Sequence, residues 1–307
     1  MIPLFPDFKP IELEDKEELD TYLRLHSPLC SEYTFTNLFA WAPSNDYRIA
    51  RYGDGFLILR GAEEERSFLQ PLVPNKMDEA ISACLYFLRN KVKRPVIERL
   101  GEDMIKNVSA DRTDIIISED RDNFDYLYDV KELIELKGKN FHAKRNHLNH
   151  FTGKYKYNYL PMTSSIVMRC MEFAHEWCND RECEKDENLT KEECAVYRML
   201  KYFDDLAVKG GVIEIEGGIC ALTIGERLNN DTIVIHVEKA KKGIPGLYQA
   251  INREFLIHEA ENFKFVNREQ DLGIPGLRRA KKSYYPIRMI KKYKIITDGR
   301  IKKESSL

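Results

Sequence analysis

Two hairpin signals far apart in the chain constrain its fold more than any other feature of the sequence. Gly53-Asp54-Gly55 joins "YRIARY" to "GFLILRG", and Gly217-Gly218 joins "GVIEIEG" to "ICALTIGERL". Glycines in so short a connection supply the positive φ angles that tight antiparallel turns require. Similar segments surround each hairpin in the same order. In the first half, a helical segment "SEYTFTNLFAWAP" leads in. A short strand around "RSFLQPLV", a helix from about Met77 to Asn90, a strand "VIERL", a short helix "EDMIKNV" and a strand "DIIIS" come after. In the second half, helices "SSIVMRCMEFAHEW" and "LTKEECAVYRMLKYFDDLAV" lead in, and Thr190 with Glu193 reads as a capping box for the latter. Strand "TIVIHVEKA", helix "GLYQAINREFLIHEAENF", strand "FKFVNRE", a helix around "PGLRRAKKSYY" and a strand "IRMIKKYKI" follow. The expected fold is α+β: two tandem domains, each a mixed, mostly antiparallel sheet flanked by helices. The predicted domains are 1–140 and 141–307, each long enough to bury its own core.

Several classes are excluded at this level. "MIPLFPDFKPIELED" has no basic region followed by an apolar run, so no signal peptide is expected. No stretch approaches 18 uninterrupted apolar residues, so no membrane span is expected. Seven cysteines without paired spacing predict free thiols in a reducing, cytoplasmic compartment. Cys170, Cys178, Cys183 and Cys194 are spaced 8, 5 and 11 apart, which matches no zinc pattern, so no metal is expected.

The formal net charge of -2 hides strong segregation. From Leu136 to Met171 there is no Asp or Glu, although 50 of the 307 residues are acidic. A second basic run, "RRAKKSYYPIRMIKKYKIITDGRIKK", has eleven Lys/Arg against Asp298 alone. Within the first, "KGKNFHAKRNHLNHF" offers three readings. A three-histidine metal site is disfavoured, because on a helix His142 lies about 140° from His147. A solvated helix face would intersperse both signs of charge. A grip on an anion explains the missing acids, the donors Lys144, Arg145, Asn146 and His147, and the aromatic residues Phe141, Phe151, Tyr155, Tyr157 and Tyr159 among them. Cations contact phosphates while aromatic faces stack on unpaired bases.

In "TIVIHVEK", strict alternation places Thr232, Val234, His236 and Glu238 on one face. Glu238 ends the strand just before "KAKKGIPG" and a helix start, where backbone N–H groups and the helix dipole favour an anion. A carboxylate there could accept a proton from an attacking nucleophile, or could simply pair with Lys239 or Lys241. In "VNREQDLGIPGL", Asn267, Glu269 and Asp271 share a side if the strand runs that far. "GIPGL" occurs at 243–247 and again at 273–277, each time ahead of a helix.

The stretch "HVEKAKKGIPGLYQAINREF…FVNREQDLGIPGLRRAKKSYYP", with "YTFTNLFAW" and "KGKNFHAKRNHLNHF" upstream, resembles the family containing the C-terminal domain of phosphatidylglycerol lysyltransferases, over roughly residues 30–296. That resemblance implies two tandem GNAT-type acyltransferase domains. It implies transfer of an aminoacyl group from aminoacyl-tRNA to a lipid headgroup hydroxyl, or, in the wider superfamily, of an acyl group from acetyl- or acyl-coenzyme A to an amine. No tightly bound cofactor is expected. By position, Gly243, Gly246, Tyr248 and Gln249 fall in the donor loop and helix start, and Tyr284 or Tyr285 where a tyrosine protonates the leaving group. Here the loop glycines are spaced G-x-x-G, and Pro245 lacks an N–H.

The reading is thus an aminoacyltransferase with Glu238 as base and Tyr284 or Tyr285 as acid. Asp271 joins them in the catalytic set, and His236, Asn252, Asn267 and Glu269 orient the acceptor. Lys144 to His147 hold the tRNA donor. The acceptor is a small molecule, a peptide or a lipid headgroup reached by peripheral membrane contact. Acyl-coenzyme A chemistry, or a non-catalytic RNA- or anion-binding module, stays open as an alternative.

Overall fold

The computed structural model describes residues 1–297, so the last six residues of the C-terminal basic run, 298–303, lie outside the described residues. The first half contributes β1 (Lys9–Pro10), α1 (Lys16–His26), α2 (Phe35–Asn45), β2 (Arg48–Tyr52), β3 (Gly55–Arg60), β4 (Ser67–Leu69), α3 (Met77–Leu88), β5 (Val96–Gly101), β6 (Ile115–Glu119) and β7 (Asp125–Asp129). After it come α4 (Val130–Glu135), α5 (His142–Lys154), β8 (Tyr157–Pro161), α6 (Ser164–Asn179), α7 (Glu187–Lys201) and α8 (Phe203–Leu206). The remainder is β9 (Lys209–Ile215), β10 (Gly218–Arg227), β11 (Thr232–Ala240), α9 (Leu247–Glu259), β12 (Phe265–Asn267), α10 (Pro275–Lys282), β13 (Arg288–Ile290) and β14 (Lys292–Thr297). The expected α+β class, with mixed, mostly antiparallel sheets flanked by helices, is what the chain adopts. No helix among the described residues is long and apolar enough to cross a membrane.

The two sheets correspond position by position. One runs β1-β2-β3-β4-β5-β14-β6 and the other β8-β9-β10-β11-β12-β7-β13. Each has one parallel pair, β4 with β5 and β11 with β12, at the same place in the order. Each also takes its sixth strand from the other half of the chain. β7 leaves the first half to lie between β12 and β13, and β14 returns to lie between β5 and β6. The single strand expected over "IRMIKKYKI" is therefore two strands, broken at Lys291 and belonging to different sheets. The pattern looks continuous because apolar residues recur on both sides of the break. A boundary after residue 140 would separate β7 from the sheet it completes.

A buried ion cluster fixes this crossing. Lys292 opens β14 and Asp125 opens β7, and both are fully buried. The Lys292 ammonium donates to Asp125 Oδ1 at 2.6 Å and to Glu32 Oε2 at 2.5 Å. Asp125 further accepts from the Ser31 amide at 2.8 Å, the Ser31 hydroxyl at 3.0 Å and Asn267 Nδ2 at 3.0 Å. Burial alone would lower the Lys292 pKa, but Asp125 and Glu32 outweigh it and hold the pKa well above the usual lysine value.

The halves also share apolar core. One cluster runs from Leu19, Phe35 and Phe39 to Trp177, Leu200 and Val237, crossing from α1 and α2 to α6, α7 and the second sheet. A second lies beneath α9, with Tyr128, Phe151, Ile233, Ile235 and Phe255, and a third beneath α3, with Phe68, Ile81, Leu85 and Ile97.

Three local expectations change. The helix placed at Thr190 starts earlier, because Asp186 caps it by accepting from the Asn188 and Leu189 amides at 2.9 and 3.3 Å, which leaves Thr190 inside the helix. "EDMIKNV" forms only a 3-10 turn, Ile105–Asn107. Cys178 and Cys183, expected as free thiols, are joined in a disulfide. The turn after α6 folds back and brings their Cα atoms to 5.2 Å.

Candidate functional site

β11 and β12 pair for only three residues, Thr232–Val234 against Phe265–Asn267, and β11 then continues to Ala240 without that neighbour. The parallel strands part and leave a wedge. Beside it β11 carries a bulge. Ile224 of β10 faces Val237 while Gly225 faces Ile235, so His236 is the extra residue. Gly225 is required opposite the bulge, since a Cβ there would lie 2.4 Å from the Val234 carbonyl oxygen and 3.0 Å from the Phe255 ring.

The bulge overturns the alternation expected of this strand. Ile233 and Ile235 pack beneath α9, whereas Val237 faces the shared core. His236 and Glu238 consequently engage different partners on opposite faces of the sheet, rather than lining one face.

On the shared-core face, the His236 side chain is 1 % exposed and held between two carboxylates. Its Nε2 lies 2.9 Å from Glu226 Oε1 and its Nδ1 2.8 Å from Glu269 Oε1. Asn37 of α2 donates to the same Glu269 oxygen at 3.3 Å. Burial pulls the imidazole pKa down, but hydrogen bonds and charge from Glu226 and Glu269 win and raise it to about 9. Because this folded-state value lies above the unfolded one, its stabilisation is complete below about pH 6.5 and is lost as the pH rises through about 9. An NMR titration of the His236 ring is expected to show a midpoint near 9. A midpoint at the ordinary histidine value would mean that the two carboxylates do not hold the ring.

On the opposite face, cations dominate. Arg268 Nη2 donates to both Glu238 oxygens at 3.0 Å, and Asn252 Nδ2 donates to Oε2 at 3.2 Å. The Arg268 Nη1 is buried and has no hydrogen-bond partner among the described residues. The Tyr284 ring lies 4.0 Å from Lys144 Nζ and 4.7 Å from Arg268 Cζ, measured to its centroid. Burial pushes the Tyr284 phenol up to about 12, against the pull of Arg268, so it is protonated at neutral pH. Burial and the nearby Arg268 push Lys144 down to about 8. Lys281, also lowered to about 8 by burial, donates to the Arg268 and Gln270 carbonyls at 2.5 and 2.6 Å.

The remaining sequence-based assignments separate. Strand pairing ends at Asn267, and Glu269 takes a φ of 55°, so Asn267, Glu269 and Asp271 do not form one row. Asn267 binds Asp125. Asp271 accepts from Tyr126 at 2.6 Å and from Arg278 at 2.7 and 3.0 Å, and burial is overcome by these partners to leave its pKa well below the usual carboxylate range. It anchors its loop. Glu238 would have to release Arg268 before serving as a base.

Tyr285 is exposed and stacks edge-on to Phe141 at 5.7 Å, away from the cationic cluster. Of the four donor-binding residues on α5, only Lys144 reaches the cluster. Arg145 donates to the Leu136 carbonyl and, at 2.8 Å, to that of Gly138. Asn146 lies 3.4 Å from the His142 ring, and His147 is exposed. Gly246 has a φ of 89°, and a Cβ there would lie 2.2 Å from the His147 carbonyl oxygen. The glycine thus lets α5 pack onto the start of α9, where Gly246 and Leu247 are buried. Gly243 borders open space. Tyr248 and Gln249 are half-buried on the first turn of α9, and burial raises the Tyr248 phenol.

Arg268, Lys281, Glu226 and Asn37 belong to the site without having been singled out in the sequence. Arg268 lies between two residues that were, but only the bulge and the end of β12 reveal which way it turns. In the first sheet, the corresponding wedge is closed. The Tyr33 hydroxyl donates to the Arg99 carbonyl at 2.9 Å and accepts from the Gln70 amide at 3.1 Å.

Compared with known proteins, the chain matches the family described as phosphatidylglycerol lysyltransferase, C-terminal, over residues 24–296. It is 30 % identical over 181 residues to an uncharacterised protein of Mycoplasmoides gallisepticum, a match spanning 58 % of this chain and 57 % of that protein's length. A conserved protein of unknown function from Bacteroides thetaiotaomicron superposes with a TM-score of 0.87 at 32 % identity, over 97 % of this chain and 100 % of that one. L-PGS from Bacillus licheniformis superposes with a TM-score of 0.63 at 14 % identity, covering 100 % and 95 % of the two chains. This last likeness is one of fold, the tandem GNAT-like arrangement.

Proposed function

Because this chain belongs to the phosphatidylglycerol lysyltransferase C-terminal family, we propose that it is an aminoacyltransferase, moving an aminoacyl group from an aminoacyl-tRNA to a hydroxyl or amine acceptor at the β11 wedge. The observation that carries this reading is the division of charge across the bulge. Glu226 and Glu269 outnumber the His236 cation on one face, and Lys144, Arg268 and Lys281 outnumber Glu238 on the other. An aminoacyl ester presents the matching pair: an ammonium beside a carbonyl that becomes an oxyanion.

In this reading the ammonium rests against Glu226 and Glu269, whose orientation His236 fixes. The acceptor attacks the ester carbonyl, and the unpartnered Arg268 Nη1 with Lys144 stabilises the negative charge on its oxygen. As the ester bond breaks, the ribose oxygen leaves and takes the Tyr284 proton. The proton that the acceptor loses on forming its new bond to the acyl carbon returns to the Tyr284 oxygen, so the enzyme ends unchanged. Glu238 and Asn252 position Arg268. Positioning and proton transfer suffice, with no covalent enzyme intermediate. The acid-free outer face of α5, carrying His147, His150 and Lys154, with Lys139 in the turn before it, meets donor phosphates, so binding weakens as salt rises.

Single-turnover transfer from labelled aminoacyl-tRNA is the test. Tyr284→Phe is expected to slow it about 100-fold, the usual worth of a placed proton donor, while tRNA affinity stays unchanged. An unchanged rate removes Tyr284 from the chemistry. Turnover of acetyl-coenzyme A with indifference to aminoacyl-tRNA overturns the whole assignment.

A further inference from the structure

The first sheet is covered unequally on its two faces. α3 packs on one, over Phe68, Ile97 and Ile295. Alternation along the strands sends Ser67, Val96, Glu98, Ile296 and Ser118 to the other. There α2 stops at Asn45, whose carbonyl accepts from the Gly61 amide at 2.9 Å. Past that point Val96 and Ile296 are only half-buried and Ser118 is exposed. These strands floor a cavity of about 760 Å³, within the usual size of small-molecule sites. It lies at the starts of β4 and β5, whereas the wedge closed by Tyr33 lies at their ends.

Cations reach the cavity from separate elements. Arg60 ends β3, Arg66 precedes β4, Arg94 precedes β5 and Lys294 lies in β14. Arg60 pairs with Glu98 at 2.7 Å and Lys294 with Asp120 at 3.2 Å. Lys191, which borders the cavity from α7, pairs with Glu187 at 2.6 Å. Glu98, the buried acid of the floor, is further satisfied by the Ser67 hydroxyl at 2.6 Å. Arg66 and Arg94 have no ion pair among the described residues, and the Arg66 Nε is buried without a hydrogen-bond partner. A buried donor left unpaired in a cavity wall marks the place of a missing acceptor.

We propose that this cavity binds a phosphomonoester of a small polyhydroxylated molecule, of the sugar phosphate class. Its phosphate meets Arg66 and Arg94, whose guanidinium forks match phosphate oxygens, with Arg60 and Lys294 beside them. Its hydroxyls meet Ser44, Asn45 and Ser118 and the carboxylates of Glu64 and Glu65, all of which line the cavity. The composition disfavours other ligands. A nucleotide base finds no aromatic face to stack on, because no aromatic side chain lines the cavity. An acyl chain finds only Pro43, Ala62, Val96 and Ile296 to lie against. A polyanion would meet Glu64 and Glu65 as like charges. The site is separate from the β11 wedge, and its occupancy requires neither donor nor acceptor of the proposed transfer.

The experiment is calorimetric titration of the intact protein with glucose 6-phosphate, fructose 6-phosphate, ribose 5-phosphate and myo-inositol 1-phosphate, beside inorganic phosphate, glucose and AMP. At least one of the sugar or inositol esters is expected to bind saturably, more tightly than phosphate or AMP, while glucose does not bind. Arg66→Gln/Arg94→Gln is expected to weaken that ester at least about tenfold, since two charge-assisted contacts are lost. Lys93→Gln, next to Arg94 but outside the cavity, should leave its affinity unchanged. Circular dichroism of both variants should match the parent. If the double variant does not fold, Arg94→Gln alone, at an exposed side chain, is read in its place. No saturable binding of any of these esters overturns the proposal, as does unchanged affinity in the arginine variant. An equal loss in Lys93→Gln also overturns it, by showing non-specific attraction. Inorganic phosphate binding as tightly as the esters, or AMP binding most tightly, overturns the assigned ligand class. Because binding is read without aminoacyl-tRNA, its failure leaves the transfer reading standing, and failed transfer with intact ester binding sinks only that reading.

Discussion

Lys292→Met is expected to destabilise the protein by about 3–5 kcal/mol, because it leaves the buried carboxylates of Glu32 and Asp125 without their cation. Glu32 keeps only Arg99, whose Nε lies 3.7 Å away. Asp125 keeps neutral donors from Ser31 and Asn267. Buried charge without a partner costs far more than the pair contributed, so the loss should shrink when the acids go too. Lys292→Met combined with Glu32→Gln and Asp125→Asn is therefore expected to recover part of the stability, as measured by urea denaturation. If the single variant stays within about 1 kcal/mol of the parent, a range usual for harmless substitutions, the cluster does not hold the strand crossing.

Arg268→Met should have the second largest effect, and it should appear in two measurements. Glu238, 11 % exposed at its side chain, would retain only Asn252, so stability should fall by about 3 kcal/mol. Transfer should fall further than stability accounts for, by about 100- to 1000-fold when assayed well below the melting temperature, because the proposed oxyanion donor is gone. Adding Glu238→Gln should restore much of the stability and none of the rate. Restoration of both would mean that the pair is structural and that the oxyanion is stabilised elsewhere.

These two residues mark where sequence reasoning stops. The hairpins at Gly53-Asp54-Gly55 and Gly217-Gly218, the order of elements and the α+β class were legible, because turn glycines and apolar periodicity are local signals. The exchange of strands was not. Nothing in "IRMIKKYKI" marks Lys291 as a crossing, and "DYLYD" is too short and too charged at its ends to announce β7. Glu238, His236, Glu269 and Tyr284 were candidates on sequence grounds, but their grouping was not legible, because one bulged residue turns Glu238 away from His236. The basic segment stands out in the sequence, but counting charges could not show that Arg145 serves two backbone carbonyls while Lys144 alone turns inward. Arg268 is one of 48 Lys/Arg residues, and only its burial against the Glu238 carboxylate, with one nitrogen left unpartnered, distinguishes it.

The reciprocal exchange also sets a schedule for making the protein. When the ribosome has finished the first half, β5 and β6 exist but the strand that lies between them does not, and β6 pairs with no other strand. That sheet stays open, with exposed edge groups, until residues 292–297 have been synthesised and have left the ribosome exit tunnel. The half that is translated first is thus completed last. A nascent chain halted at residue 140 should therefore lack the protease resistance of a finished domain, however long it is given to fold.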